Sequence, residues 1–101
     1  MSILASGSPD GKELTIKVKG RFDFSAHREF RNAYESAPHD MNAYIVDLKD
    51  ATYLDSSALG MLLLLRDHAG GETAHVRIVN CNPDVRKILN ISIFEQLFNI
   101  L

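Results

Sequence analysis

Two adjacent serines preceded by an aspartate, Asp55-Ser56-Ser57, are the residues of this sequence best suited to chemistry. They stand directly before an apolar segment that begins at Ala58. Aspartate and serine are preferred at helix N-caps because their oxygens accept hydrogen bonds from the unpaired N–H groups of the first turn. The same turn carries a partial positive charge of about +0.5 e, which favours a phosphate. The segment is therefore either a plain helix cap or a place for a phosphoryl group.

Catalytic patterns are missing around these serines. A hydrolase nucleophile elbow requires Gly-x-Ser-x-Gly, but Leu54 and Ala58 occupy the glycine positions around Ser56. The four histidines show no triad or metal-ligand spacing, and no phosphate loop of the Gly-Lys-Ser/Thr type occurs. A phospho-aspartate receiver centred on Asp47 would need an acidic pair after the first strand, where only Asp23 is found. We therefore expect no enzymatic activity, no cofactor and no metal ion.

The predicted helix after the serines combines small and large apolar residues. Ala58 and Gly60 keep its first turn free of bulk, which would let the active site of another protein approach the backbone. Five large apolar residues follow in a row, Met61 to Leu65, and at about 100° per residue they surround the whole helix. One sheet cannot bury that circumference. Either the C-terminal segment covers the outer side, or the Met and Leu side chains form a docking patch.

Strands and helices alternate along the chain, which predicts a mostly parallel sheet with right-handed crossovers. Periodicity and turn residues predict strand 14–19, helix 26–35, strand 43–48, a loop at 49–52, a cap at 55–57 with a helix beyond it to about 69, strand 74–79 and helix 84–89. Turn-forming residues at 8–11 permit an additional N-terminal strand, and residues 93–101 are ambiguous between helix and strand. The prediction is one α/β domain that covers residues 1–101.

Composition limits the partners of this domain. A net charge of −2 without a Lys/Arg cluster argues against nucleic acid and against direct binding to anionic membranes. The longest apolar run is far shorter than the roughly 20 residues that span a bilayer, and the N-terminus does not resemble a signal peptide. The single cysteine, Cys81, fits a reducing compartment. We expect a cytoplasmic protein.

Residues 48–62 resemble the signature of the STAS domain, in particular that of the single-domain bacterial anti-sigma factor antagonists. In that signature a strand ending in Asp-Leu precedes a short loop, then Asp-Ser-Ser/Thr-Gly-Leu-Gly and an apolar helix. Residues 20–23 are similar to the family's Gly-x-Leu/Ile-Asp, and residues 82–94 are similar to its last helix and terminal segment. This sequence departs from the pattern at Ala58, where glycine is usual, so we expect a slightly firmer first turn. The resemblance implies a small α/β sheet with helices packed mainly on one face.

The resemblance also implies roles for individual residues. Ser56, the first hydroxyl after the aspartate, would be the phosphoacceptor, with Ser57 as the second choice. Asp55 would set the loop, Ser57 would help begin the helix, and Asp23 would lie near the phosphorylation loop. The implied partner-binding residues are Asp23, Asp55, Ser57, Ala58, Leu59, Gly60 and Met61.

The implied function is a phosphorylation-controlled partner switch. The unphosphorylated protein would bind an ATP-binding serine kinase of the anti-sigma type, which would release it after phosphorylating Ser56. A phosphatase of the PP2C type would reverse the modification. The alternative is a stand-alone STAS subunit of a membrane transporter or a lipid-transport ABC complex, with no phosphorylation.

Overall fold

The computed structural model describes residues 2–37, 42–71, 75–91 and 99–100. Five strands form one sheet in which spatial order follows chain order, β1-β2-β3-β4-β5. The elements in sequence are β1 (Ser2–Gly7), β2 (Glu13–Phe22), a 3₁₀ turn (Phe24–Ala26), α1 (His27–Glu35), β3 (Ala43–Leu54), α2 (Ser56–His68), β4 (Val76–Val79), α3 (Pro83–Ile91) and β5 (Asn99–Ile100).

The sheet is parallel except at its first edge. β1 and β2 form an antiparallel hairpin, as the turn residues at 8–11 suggested, and β2 through β5 run parallel. Gly11 closes the hairpin turn with a φ of 71°, which favours glycine. Because the parallel strands are added in one direction, right-handed crossovers place all three α-helices on the same face. The predicted mostly parallel α/β fold with helices on one face is confirmed.

The hydrophobic core lies between the sheet and its helices. Alternate residues of the parallel strands point into it and are buried: Leu14, Ile16, Val18, Tyr44, Val46, Leu48, Val76 and Ile78. The helices contribute their own buried face: Phe30, Tyr34, Ala58, Met61, Leu62, Leu65, Val85 and Leu89. The intervening strand residues Thr15, Ile45 and Arg77 are half-buried on the opposite face. The helix-covered face therefore supplies most of the apolar burial that stabilises the sheet.

The prediction of a loop at residues 49–52 is wrong, because these residues belong to β3, which continues to Leu54. The register shifts twice in this stretch, between Lys17 and Lys19 and between Gly20 and Arg21 of the neighbouring strand. Beyond Leu48 the buried residues are therefore spaced by three, at Ala51 and Leu54, instead of two. Bulges of this kind break the period-2 pattern by which strands are recognised in a sequence.

The predicted helix boundaries are accurate where capping residues mark them. α2 begins at Ser56 and ends at His68, just before Gly70 and Gly71, which adopt φ values of 122° and 65°. Asn82 caps α3 by accepting a hydrogen bond from the backbone N–H of Val85 at 2.9 Å. Of the ambiguous C-terminal segment, only residues 99–100 are described, and they form β5. The first residue of the predicted strand 74–79 lies outside the described residues.

Candidate functional site

The candidate site lies where two neighbouring parallel strands end. Phe22, the last residue of β2, is paired with Leu54, the last residue of β3, and both are buried. Each strand is followed at once by an aspartate, Asp23 and Asp55, so these two carboxylates leave the same edge of the sheet. The carboxyl ends of parallel strands are where α/β folds place their binding sites.

Asp55 is the N-cap of α2. Its Oδ1 accepts hydrogen bonds from the Ala58 backbone N–H at 3.1 Å and from the Ser57 hydroxyl at 2.6 Å. The Ser57 hydrogen bond is the main reason why the pKa of Asp55 is lowered, and the nearby negative charge of Asp23 opposes that shift. Asp55 is thus ionised at neutral pH and fixes the conformation of the loop before the helix.

The two serines of the loop have different environments. The Ser57 hydroxyl donates to Asp55 and its side chain is half-buried. Ser56 is exposed, and within the part of the chain that the structure describes its hydroxyl makes no hydrogen bond. Ser57 therefore belongs to the cap, whereas Ser56 is accessible to another protein at the positive end of the helix.

The turn after β2 repeats the arrangement of the loop after β3. Asp23 Oδ1 accepts hydrogen bonds from the backbone N–H and the hydroxyl of Ser25, and the Ser25 hydroxyl is the main cause of the lowered pKa of Asp23. We call Asp23-Phe24-Ser25 the first Asp-x-Ser turn and Asp55-Ser56-Ser57 the second. The middle residues, Phe24 and Ser56, are both exposed. Two similar turns thus present a phenyl ring and a hydroxyl on adjacent strand ends.

Arg21 and Tyr53 lie just before the two turns. The strand register pairs them, and the Arg21 guanidinium carbon is 4.3 Å from the centroid of the Tyr53 ring. Arg21 Nε also lies 3.3 Å from Asp23 Oδ2, although the Arg21 side chain is 63% exposed. Such an exposed ion pair contributes little to stability. Its effect is to hold a cation over the tyrosine, beside Asp23.

The outer side of α2 continues the exposed surface away from the second turn. Four exposed residues lie along one side of the helix, at the spacing i, i+4, i+7 and i+8, and we call them the outer stripe: Ser56, Gly60, Leu63 and Leu64. Leu63 is 37% exposed and Leu64 is 48% exposed. A Cβ built on Gly60 would meet nothing within 4 Å. A hydroxyl, a bare stretch of backbone and two leucines therefore follow one another along the stripe.

The predicted partner-binding residues do not all reach this surface. Gly60 is exposed and Asp23, Asp55, Ser57 and Leu59 are half-buried around the site. The prediction that Ala58 and Met61 face a partner is corrected, because their side chains are 0% and 3% exposed. They lie on the side of α2 that packs on the sheet, together with Leu62 and Leu65.

Three surface residues of the site were missed by the sequence prediction: Arg21, Phe24 and Tyr53. Arg21 and Tyr53 belong to the bulged stretch where the strand pattern fails, so their pairing could not be predicted. A signal for Phe24 was present, since the motif Asp-x-Ser occurs at both residues 23–25 and residues 55–57.

The described residues offer neither a metal-binding cluster nor a membrane-spanning helix. Within ranges 2–37, 42–71, 75–91 and 99–100 there is no group of three or more His, Cys, Asp or Glu side chains that could hold a metal ion. None of the helices in those ranges is long and apolar enough to cross a membrane.

Comparisons with known proteins agree on one family. A family model described as "Mlab, STAS domain" matches residues 7–100. The chain is 65% identical over 100 residues to a STAS-domain containing protein of Pseudomonas aeruginosa strain UCBPP-PA14, and the match covers 99% of both chains.

Solved structures that match the chain at low identity show the same fold. One is the anti-sigma factor antagonist SpoIIAA in its unphosphorylated form, with a TM-score of 0.70 at 15% identity over 99% of this chain and 87% of that chain. SpoIIAA of Bacillus in its phosphorylated form has a TM-score of 0.66 at 15% identity, over 99% of this chain and 91% of that chain. A sulfate transporter family protein from Wolinella succinogenes has a TM-score of 0.76 at 14% identity, over 94% of this chain and 80% of that chain.

Proposed function

This chain belongs to the STAS domain family, and from that membership and the geometry of its site we propose that it is a phosphorylation-controlled partner-switching protein of the anti-sigma factor antagonist type. It acts by binding, in the cytoplasm, and catalyses no reaction itself. The unphosphorylated form binds an ATP-binding serine kinase of the anti-sigma type. That kinase phosphorylates Ser56 and releases the protein, and a PP2C-type phosphatase restores the binding form.

The observation that carries this proposal is the difference in environment between the two serines: Ser57 is hydrogen-bonded in the helix cap, and Ser56 is exposed. The Asp55 carboxylate makes the helix cap by accepting from the Ala58 N–H at 3.1 Å, and the Ser57 hydroxyl supports the cap by donating to the same oxygen at 2.6 Å. Ser56 is not needed for the cap and is exposed beside the first-turn N–H groups. These groups favour a phosphate, so the phosphorylated helix is stable within the domain.

The physical switch is a change of charge on a small surface. Phosphorylation adds about −1.5 to −2 charges at neutral pH. The lowered pKa values of Asp23 and Asp55 keep both side chains ionised there, so the modified site carries three adjacent anionic groups, of which only Asp23 is paired with Arg21 among the described residues. A partner surface matched to the neutral hydroxyl would then face repulsion and an unpaired buried charge, which costs on the order of 2–5 kcal/mol of affinity.

Two experiments test the proposal. The first is phosphopeptide mass spectrometry on protein from its native cells, with phosphatase-treated protein as the control, and we expect a phosphate on Ser56. The second compares the affinity of wild type, Ser56→Ala and Ser56→Asp for the kinase that is recovered. Ser56→Ala should bind like the unphosphorylated wild type, and Ser56→Asp should bind at least tenfold more weakly, about 1.4 kcal/mol.

Ser57→Ala is the matched control for these variants. It removes a hydroxyl one residue away, and with it the hydrogen bond to Asp55, so the free energy of unfolding should fall while Ser56 is still phosphorylated. Equal affinity of the wild type and both Ser56 variants for the kinase would contradict the proposed switch.

A second candidate function is a STAS subunit of a membrane transporter or a lipid-transport ABC complex, without phosphorylation. The fold similarity to the sulfate transporter family protein favours this candidate over unrelated functions. Recovery of an unmodified Ser56 peptide under several growth conditions, together with co-purification of an ABC-type ATPase, would establish it in place of the switch.

A further inference from the structure

Phe24 is an exposed aromatic residue on a well-supported turn. It is 72% exposed, the highest value among the large apolar side chains in the described part of the molecule. Phe22 and Ala26, two residues before and two residues after it, are fully buried. Asp23 caps the turn through Ser25, and the Phe24 ring stacks on His27 with a centroid distance of 5.6 Å and an interplanar angle of 22°. The backbone is thus fixed at both ends while the ring faces solvent.

The turn that holds Phe24 lies next to the proposed phosphorylation site. Phe24 and Ser56 each lie two residues beyond the paired strand ends Phe22 and Leu54. Neighbouring strands are about 4.8 Å apart. A stable protein interface buries about 800 Å² on each partner, which corresponds to a patch roughly 30 Å across. An interface of this size that is centred on the Ser56 hydroxyl therefore reaches the Phe24 ring.

The distribution of exposed apolar side chains supports the same conclusion. Among the described residues, five large apolar side chains are exposed. Four of them lie on the segments around Ser56: Phe24, Tyr53, Leu63 and Leu64. The fifth, Leu4, is 65% exposed on β1, at the edge of the sheet. A single exposed apolar residue is ordinary on a protein surface, but four on the segments that flank one accessible hydroxyl favour an interaction surface at this end of the fold.

We propose that Phe24 is the apolar anchor by which this protein binds its kinase, inserting into an apolar pocket beside the site that receives Ser56. The identity of this partner rests on the proposed function. The two Asp-x-Ser turns then have separate roles. The first supplies affinity, because the Phe24 ring becomes buried in the complex, and the second controls binding through the charge on Ser56. Aromatic side chains are the usual energetic centres of interfaces, because they bury a large area at little cost in conformational entropy.

Site-specific photo-crosslinking tests this proposal and identifies the bound partner in the same experiment. The photoreactive residue p-benzoylphenylalanine replaces Phe24 in one variant and Leu4 in the matched control, and both proteins are expressed in the native cells. Both positions are exposed, so both variants should keep the wild-type Tm. We expect the variant at position 24 to give an adduct that mass spectrometry identifies as a protein with an ATP-binding kinase domain, and the variant at position 4 to give none with that protein.

The other outcomes overturn the proposal in distinguishable ways. An adduct with a second copy of this chain, or with an ABC-type ATPase, would assign the Phe24 surface to a different partner. A third variant carries the photoreactive residue at the exposed Leu63 of α2. An adduct of that variant with the kinase, without one at position 24, would overturn the anchor and leave the proposed function intact. An adduct at position 24 that persists unchanged when Ser56→Asp is added would support the anchor and contradict the phosphorylation switch. No adduct at either position 24 or position 63 would contradict both.

The affinity for the kinase identified in this way gives the quantitative test. Phe24→Ala should weaken binding by about 30-fold or more, as expected for an anchoring aromatic residue. Leu4→Ala, which also removes an exposed apolar side chain, should change the affinity by less than about twofold. Similar losses for the two variants, or no loss for Phe24→Ala, would refute the anchoring role.

Discussion

Gly60 provides a test of the site that separates stability from binding. It lies in the interior of α2, on the outer stripe, one helical turn after Ser56. Its φ is not in the positive range that favours glycine, and an added Cβ would have no heavy atom within 4 Å. Nothing inside the described chain therefore requires a glycine at this position. Since glycine in a helix interior is less favourable than alanine by about 0.8–1.0 kcal/mol, Gly60→Ala should stabilise the free protein by about that amount.

The expected shift is large enough to measure by calorimetry. For a domain of about this size, 1 kcal/mol corresponds to a rise of about 4–8 °C in Tm. Gly11→Ala is the matched control, because a Cβ at Gly11 would also meet nothing within 4 Å, but its φ is +71°. The left-handed conformation costs an alanine about 1–2 kcal/mol, so this variant should have a lower Tm. Glycine-to-alanine substitution should thus raise Tm at position 60 and lower it at position 11, although an added Cβ has equally open space at both positions.

The second half of the prediction concerns the partner. If the bare backbone at Gly60 is a point of close approach, a methyl group there must displace atoms of the bound kinase. Overpacking of a close-packed region costs about 1–3 kcal/mol, so Gly60→Ala should bind roughly 5- to 150-fold more weakly although it folds more stably. A lower Tm for Gly60→Ala would refute the structural reasoning. A higher Tm with unchanged affinity would show that the partner does not contact this turn.

Further predictions concern the caps and their titration. Asp55→Ala should lower the free energy of unfolding by about 0.5–2 kcal/mol in urea denaturation, because the Ala58 N–H loses its acceptor. The pKa of Asp55 is lowered in the fold, so its stabilising effect is complete above the pKa of the unfolded chain and is lost as pH falls through the folded pKa. NMR titration should therefore give Asp55 a pKa below the ordinary value of 3.8, and Ser57→Ala should raise it. Asn82→Ala should lower the free energy of unfolding by about 1–3 kcal/mol. The Asn82 side chain caps α3 by accepting from the Val85 N–H, and it also donates to the Ala51 carbonyl at 2.8 Å. The exposed Asn32→Ala in α1 is its control and should not lower Tm, because alanine is the better helix former.

The features that were predicted correctly from the sequence depend on local chemistry. The caps at Asp55 and Asn82, the proline that begins α3 and the glycines after α2 each act on backbone groups within a few residues. Their effect does not depend on the rest of the fold. The alternation of strands and helices likewise predicted the α/β class.

The features that were missed depend on contacts between distant segments. The continuation of β3 past Leu48 requires pairing with the bulged end of β2, about 30 residues earlier in the chain. The apolar run from Met61 to Leu65 has no periodicity of its own, so only packing on the sheet decides that Met61 is buried and that Leu63 and Leu64 are exposed. The different environments of Ser56 and Ser57 depend on which hydroxyl reaches Asp55; their separate roles were implied only by the resemblance to the STAS signature, because residue types and spacing do not specify which hydroxyl it is.

The order of the strands has a consequence for how the chain folds. Among the described strands, each strand pairs with the next one in the sequence, so no strand has to be inserted between two that are already paired. Only the first hairpin is local; each parallel pairing, such as that of Ile16 with Val46, closes a crossover whose loop entropy is lost before the pairing stabilises it, which slows folding. The sheet can grow from its first hairpin by adding one strand and one crossover at a time. The residues of the site all fall between 21 and 64, so their strand ends can pair before β4 and α3 leave the ribosome.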